Sequence, residues 1–147
     1  MIETISLLPG IPLRVCRDTR FKQGCLSFQL VRQMDQAEAA MNALLPAVLL
    51  RGCRNYPDLR AITLHLDDLY GASVGTLVRR VGDYQTTGLY CGFMDDRFAL
   101  PGDKVLQPML AFLEEVLLDS PLEDGAFLSA FVESEKKNLI STIEAEL

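Results

Sequence analysis

Apolar and polar residues alternate in two short stretches near the start of the chain. Pro12–Arg17 places Leu13 and Val15 on one face, and Cys25–Arg32 places Leu26, Phe28 and Leu30 on one face. The polar segment 18–24, ending in Gly24, predicts that these two strands pair as an antiparallel hairpin. A helix follows over about 36–51, where Ala39, Ala40, Ala43, Leu44, Ala47, Val48 and Leu50 leave almost no polar side, the pattern of a buried helix. Asp35 is placed to cap it, with Glu38 at capping-box spacing and Gly52 as a left-handed stop. Pro46 lies inside, where it removes one backbone hydrogen bond at about 3 kcal/mol and bends the helix.

Asp58 predicts the cap of a second helix that ends before Gly71, with Leu59, Ile62, Leu66 and Leu69 as its apolar stripe. Residues 73–81 and 84–94 read as a second hairpin about the tight turn Gly82-Asp83. A third helix spans about 107–118 with Leu106, Leu110, Leu113 and Leu117 on one side, and Pro108 in its first turn. A fourth starts near Ala126, carrying Leu128, Phe131, Leu139 and Ile143, with Glu133 and Lys137 as an i,i+4 ion pair. Its pattern runs to Leu147 without a glycine or proline stop, as expected of a chain cut from something longer. The order predicts one α+β domain over 1–147, a mostly antiparallel sheet with helices packed on one face.

Composition narrows the chemistry. The 147 residues are 49% apolar, enough for a buried core. No apolar run approaches the roughly 18 residues of a membrane span. The N-terminus has an acidic Glu3 and no basic region, unlike a signal peptide, so the expected address is the cytoplasm. The net charge of −6 disfavours nucleic acid as a partner. It is uneven: residues 1–93 carry ten basic and eight acidic groups, and residues 94–147 carry four and twelve. Arg51, Arg54 and Arg60 read as a solvated loop and helix edge.

Cys16, Cys25, Cys53 and Cys91 form no C-x-x-C pair, and His65, the one histidine, has no cysteine near it in sequence. Free thiols and an ordinary boundary histidine are expected, with no zinc ribbon or redox motif. The glycines of the second hairpin do not make G-x-G-x-x-G, so no phosphate cradle is predicted; they mark bulges or close backbone approach. The carboxylate pairs Asp67-Asp68 and Asp95-Asp96 fit capping and turn roles better than catalysis.

The strings GIPLRV, NALLPAVLLRGCRNYP, LDDLYGAS, SPLEDGAF and FVESEKKNLISTIEAEL, in this order, resemble the first domain of the insulinase/pitrilysin family of zinc metallopeptidases. The resemblance covers nearly the whole chain and implies the metallopeptidase-like fold of the mitochondrial processing peptidases. Active members carry H-x-x-E-H on the buried helix, two histidine ligands with a glutamate base between them, and a distal glutamate as third ligand. Anchored on Leu50-Arg51-Gly52, these places fall on Ala43, Pro46 and Ala47, and the distal one on Ser141 or Thr142. Glu135 matches an acidic residue that often precedes the distal ligand.

Alanine coordinates no metal and proline accepts no proton, so zinc–water activation is not expected. No cofactor and no catalytic residue is expected either. The resemblance implies the non-catalytic bacterial branch, whose members pair with an active paralogue and enclose unfolded peptide. Short bacterial look-alikes are linked to modification of translation elongation factor P. The expected partners are thus an active zinc-peptidase paralogue, as a heterodimer, or a second copy, together with peptide. The alternative is a purely structural subunit of a larger complex that binds no peptide.

Overall fold

In the computed structural model, residues 2–145 are described. Strands β1 (Ile2–Leu8) and β2 (Ile11–Cys16) form a ribbon of their own. Strands β3 (Gln23–Gln33), β4 (Ser73–Val81) and β5 (Tyr84–Met94) form an antiparallel sheet in the order β3-β5-β4. Helices α1 (Ala39–Leu49), α2 (Leu59–Asp68), α3 (Leu106–Leu118) and α4 (Ser129–Ala145) complete the α+β fold, with a two-residue pairing of β6 (Leu122–Glu123) and β7 (Ala126–Phe127) before α4. No described helix is long and apolar enough to cross a membrane.

The alternation of β5 decides which sheet face is covered. Leu89, Cys91 and Phe93 point to the helices and are buried with Ile62, Leu66, Met109, Phe112 and Val116 in one core. Burying a side chain of this size is worth about 1.5–3 kcal/mol, so this layer holds the sheet to α2 and α3. α1 lies against β5 and β4 and also contacts α4.

Several sequence expectations are corrected. Residues 12–17 do not pair with residues 25–32. β2 pairs instead with the N-terminal strand β1, from Ile2 opposite Cys16, and β3 pairs along its whole length with β5, from Gln23 opposite Met94 to Gln33 opposite Tyr84. Local turn chemistry could not reveal a partner about sixty residues away.

Glu38 does not close a capping box. It is itself the first flanking residue of α1, and its carboxylate meets Arg32 at 2.7 Å, while Asp35 accepts from the Ala37 N–H. Gly52 is not left-handed; it is needed because a Cβ there would lie 2.5 Å from the Pro57 carbonyl oxygen. α3 turns a different face inward: Met109, Phe112, Leu113 and Val116 are buried, while Leu106 and Leu110 are exposed. α4 begins at Ser129 rather than Ala126, and Glu133 pairs with Lys136 instead of Lys137. The running of that helix to Leu147 falls on residues 146–147, outside the described residues.

Other expectations hold. Asp58 caps α2 by accepting from the Ala61 N–H at 2.8 Å, and β4 and β5 turn at Gly82, which has a left-handed φ of 59°. Asp95 caps the short 3-10 turn Asp96–Phe98, and Asp96 accepts from the N–H groups of Val105 and Leu106 at the start of α3. The Arg97 guanidinium, and after it the Arg97 N–H, hold the Asp95 pKa below the usual range, and the N–H groups of Leu106 and Val105 do the same for Asp96.

Candidate functional site: the buried helix and its neighbours

Proline has no N–H, so at position 46 the hydrogen bond to the carbonyl of Asn42, four residues earlier, cannot form. Pro46 is fully buried, and an unpartnered carbonyl beside it would cost about 1–3 kcal/mol. The sheet supplies the missing donor: the Thr87 hydroxyl of β5 donates to the Asn42 oxygen at 2.8 Å. One pleat away, the Gln85 amide donates to the Ala39 oxygen at 2.9 Å and accepts from the Asn42 side chain at 3.2 Å.

These two polar residues sit at inward positions of β5, where the other inward residues are Leu89, Cys91 and Phe93. Polar residues in an otherwise apolar inward row are the sequence signal for such a clamp. The clamp predicts a coupling. Thr87→Val, which keeps the shape and removes the donor, should destabilise the chain by about 1–3 kcal/mol. In a Pro46→Ala background the helix regains its own N–H donor to Asn42. There the same change should cost less than half as much, as read by a double-mutant cycle in urea.

Ala43 and Ala47 are half-buried on α1, flanking Pro46. On α4, Ser141 and Thr142 are exposed, and the Thr142 hydroxyl donates to the Asn138 carbonyl of its own helix at 3.0 Å. The two helices are in contact. Glu135 of α4 meets Arg51, just past α1, at 3.2 Å; their side chains are 13% and 27% exposed, and the guanidinium stands 5.8 Å from the centre of the Phe131 ring. Arg51 is therefore an interhelix clasp rather than a solvated loop cation. Arg54 reaches Asp119 at 3.2 Å on the surface.

The side chains at Ala43, Pro46, Ala47, Ser141 and Thr142 do not fit a zinc ion. Two methyl groups, a pyrrolidine ring and neutral hydroxyls offer no anionic or imidazole ligand, and Glu135 is already neutralised by Arg51. Among the described residues no group of three or more His, Cys, Asp or Glu is placed to hold a metal.

The remaining titratable cluster holds the loop between α1 and α2. Burial opposes the charge on Glu115, but hydrogen bonds from the Asn55 N–H and side chain, the Cys53 thiol and the nearby Arg54 outweigh it and lower its pKa. Burial pushes the thiols of Cys53 and Cys91 up to about 11, so both are protonated at neutral pH and are not nucleophiles. His65 packs between Tyr56 and Phe112, with ring centres 4.5 Å and 5.4 Å away; burial lowers its pKa against the pull of Asp68 and Glu115. It is a core-boundary residue, as expected from sequence.

No family model matches the chain. In sequence it is similar to a Bacillus subtilis (strain 168) protein named "Probable inactive metalloprotease YmfF". The two are 28% identical over 136 residues, which cover 92% of this chain and 32% of the relative. In fold it is similar to a conserved protein of Enterococcus faecalis V583 known from a crystal structure, with a TM-score of 0.91 and 24% identity over 98% of this chain and 34% of that one. The chain thus spans about a third of the length of the proteins it matches, and over that third it resembles a metalloprotease-like protein regarded as inactive.

Proposed function

We propose that this chain is the N-terminal part of a longer, catalytically silent relative of the insulinase-type zinc peptidases. In this reading it acts in the cytoplasm as a non-catalytic subunit that pairs with an active paralogue and helps to bind or enclose peptide. The observation that carries the reading is the chemistry of the buried helix. Where the resemblance places two histidines and a base stand Ala43, Pro46 and Ala47, and Pro46 is integrated into the fold through the Thr87–Asn42 bond. Glutamate at 46 would restore a backbone N–H but would place a carboxylate where a fully buried ring now packs. Similarity to a protein named as a probable inactive metalloprotease supports the same reading.

Metal analysis and affinity capture test it together. The purified protein, dialysed against micromolar zinc, should retain far less than one zinc per chain. It should also co-purify from its source cells with a polypeptide carrying H-x-x-E-H. Stoichiometric zinc, or chelator-sensitive peptide hydrolysis by the protein alone, would overturn the silent-subunit reading. Failure to associate with any such polypeptide would remove the pairing.

A further inference from the structure

The chain leaves α2 through two successive left-handed residues, Tyr70 with φ 62° and Gly71 with φ 69°. The Gly71 N–H then returns to the Asp67 carbonyl at 3.3 Å, and the Ala72 N–H to the Leu66 carbonyl at 2.9 Å. Glycine takes up this conformation freely, and aspartate, which stands at φ 50° as Asp124, tolerates it. A bulky side chain at positive φ is an outlier. Such strain persists only where the surroundings hold it in place.

The contacts that hold Tyr70 run through one atom. Its hydroxyl accepts from the Leu100 N–H at 3.1 Å and donates to the Asp103 carboxylate. Leu100 and Asp103 are the two ends of a single turn, closed by the Asp103 N–H on the Leu100 carbonyl at 3.0 Å. Pro101 and Gly102, the latter at φ 99°, fill the middle as a type II turn requires. Tyr70 is 40% exposed and Leu100 67% exposed, so burial does little to fix either. The bond to Asp103 leads the causes that push the Tyr70 hydroxyl pKa up, which keeps its proton in place as donor.

This turn belongs to the segment that carries the chain from β5 to α3. The first part of the segment is fastened elsewhere: the Asp95 N–H donates to the Lys22 carbonyl at 2.9 Å, and Asp96 caps α3. Ala99 just before the turn, Val105 just after it and Ala72 beside Gly71 all pack into the core. The hydroxyl therefore ties together the neighbours of three places where the chain enters the core.

We propose that Tyr70 is a conformational latch, in which left-handed strain at the exit of α2 is held by the grip of one hydroxyl on both ends of the Leu100–Asp103 turn. Releasing the hydroxyl frees the turn and lets the exit of α2 relax. The two segments then open as one local unit while the sheet and the rest of the core stay folded. The inference goes beyond the silent-subunit reading and does not depend on it.

Amide hydrogen exchange on the longest natural polypeptide that contains these residues tests the latch. In the unmodified protein the Leu100 and Ala72 amides should be protected and open with the same free energy, well below that of a core amide such as Leu89. Tyr70→Phe keeps the ring and the strain but removes the grip. Both amides should then exchange about tenfold or more faster, with Leu89 unchanged. Tyr70→Gly removes the strain as well, so Ala72 should regain its protection while Leu100 stays fast. That split separates a strained latch from an ordinary hydrogen bond. Unequal opening of the two amides in the unmodified protein would overturn the proposal. So would a Tyr70→Phe protein that exchanges like the original, or a Tyr70→Gly protein whose Ala72 is as fast as in Tyr70→Phe. If neither variant folds, the comparison of the two amides in the unmodified protein still decides.

Discussion

Replacing Gly88 by alanine should destabilise the fold by about 3 kcal/mol or more, at the upper end of what one added methyl does to a packed core. A Cβ at this position would lie 1.9 Å from the backbone oxygen of Phe28 and 2.9 Å from its carbonyl carbon. No rotamer change relieves that contact, because the obstructing atoms belong to the main chain of β3. The two strands must part, and their pairing is the longest ladder in the molecule. Two control positions make the expectation specific. At Gly75 the obstruction is the Tyr90 ring, 2.6 Å away, which can swing outward, so Gly75→Ala should be milder. At Gly82 nothing lies within 4 Å, and only the left-handed φ of 59° opposes a side chain, at about 1–2 kcal/mol. Urea midpoints should rank Gly88→Ala as the most harmful of the three; a Gly88→Ala protein as stable as Gly82→Ala would contradict the close packing of β3 on β5.

Gly88 also marks how far the sequence could be read. Close approach was expected of the glycines in the β4–β5 hairpin, but which strand approached could not be, since β3 is separated from β5 by two helices and a strand. The hairpin itself was legible because its turn is local, and α2 was legible because Asp58 and its apolar stripe lie within one segment. α3 misled for a different reason. Leucine or another apolar residue stands at most positions from 105 to 118, so more than one stripe fits the helical period, and only the sheet decides which one is buried. The candidate site shows the same division. Ala43, Pro46 and Ala47 could be found along the chain, whereas the Thr87 donor that lets Pro46 sit there depends on which β5 residues face α1.

Phe112→Ala should cost about 3–5 kcal/mol, and it should also change how stability depends on pH. The ring is 1% exposed and forms the floor under two others, the Tyr56 ring edge-on at 5.4 Å and the His65 ring at 5.4 Å. Its removal leaves a cavity between α2, α3 and the loop that Glu115 anchors, and the surrounding backbone is held in place by the Asn55 and Asp58 hydrogen bonds. Collapse into the space is therefore limited, which places the cost toward the upper part of that range. The pH effect follows from His65. Its pKa in the folded chain lies below the ordinary 6.5, with burial as the leading cause. The unfolded state therefore binds the proton more readily. The His65 contribution to stability is largest above pH 6.5, falls as pH drops through that value, and levels off below the lowered native pKa. Opening the cavity admits water to the imidazole and raises its native pKa toward 6.5, so the slope between these limits should shrink in Phe112→Ala. NMR titration of the one histidine reads the first effect directly, and urea unfolding at pH 5 and pH 8 reads the second. A His65 pKa that does not rise in the variant would mean that the Phe112 ring is not what keeps water from the imidazole.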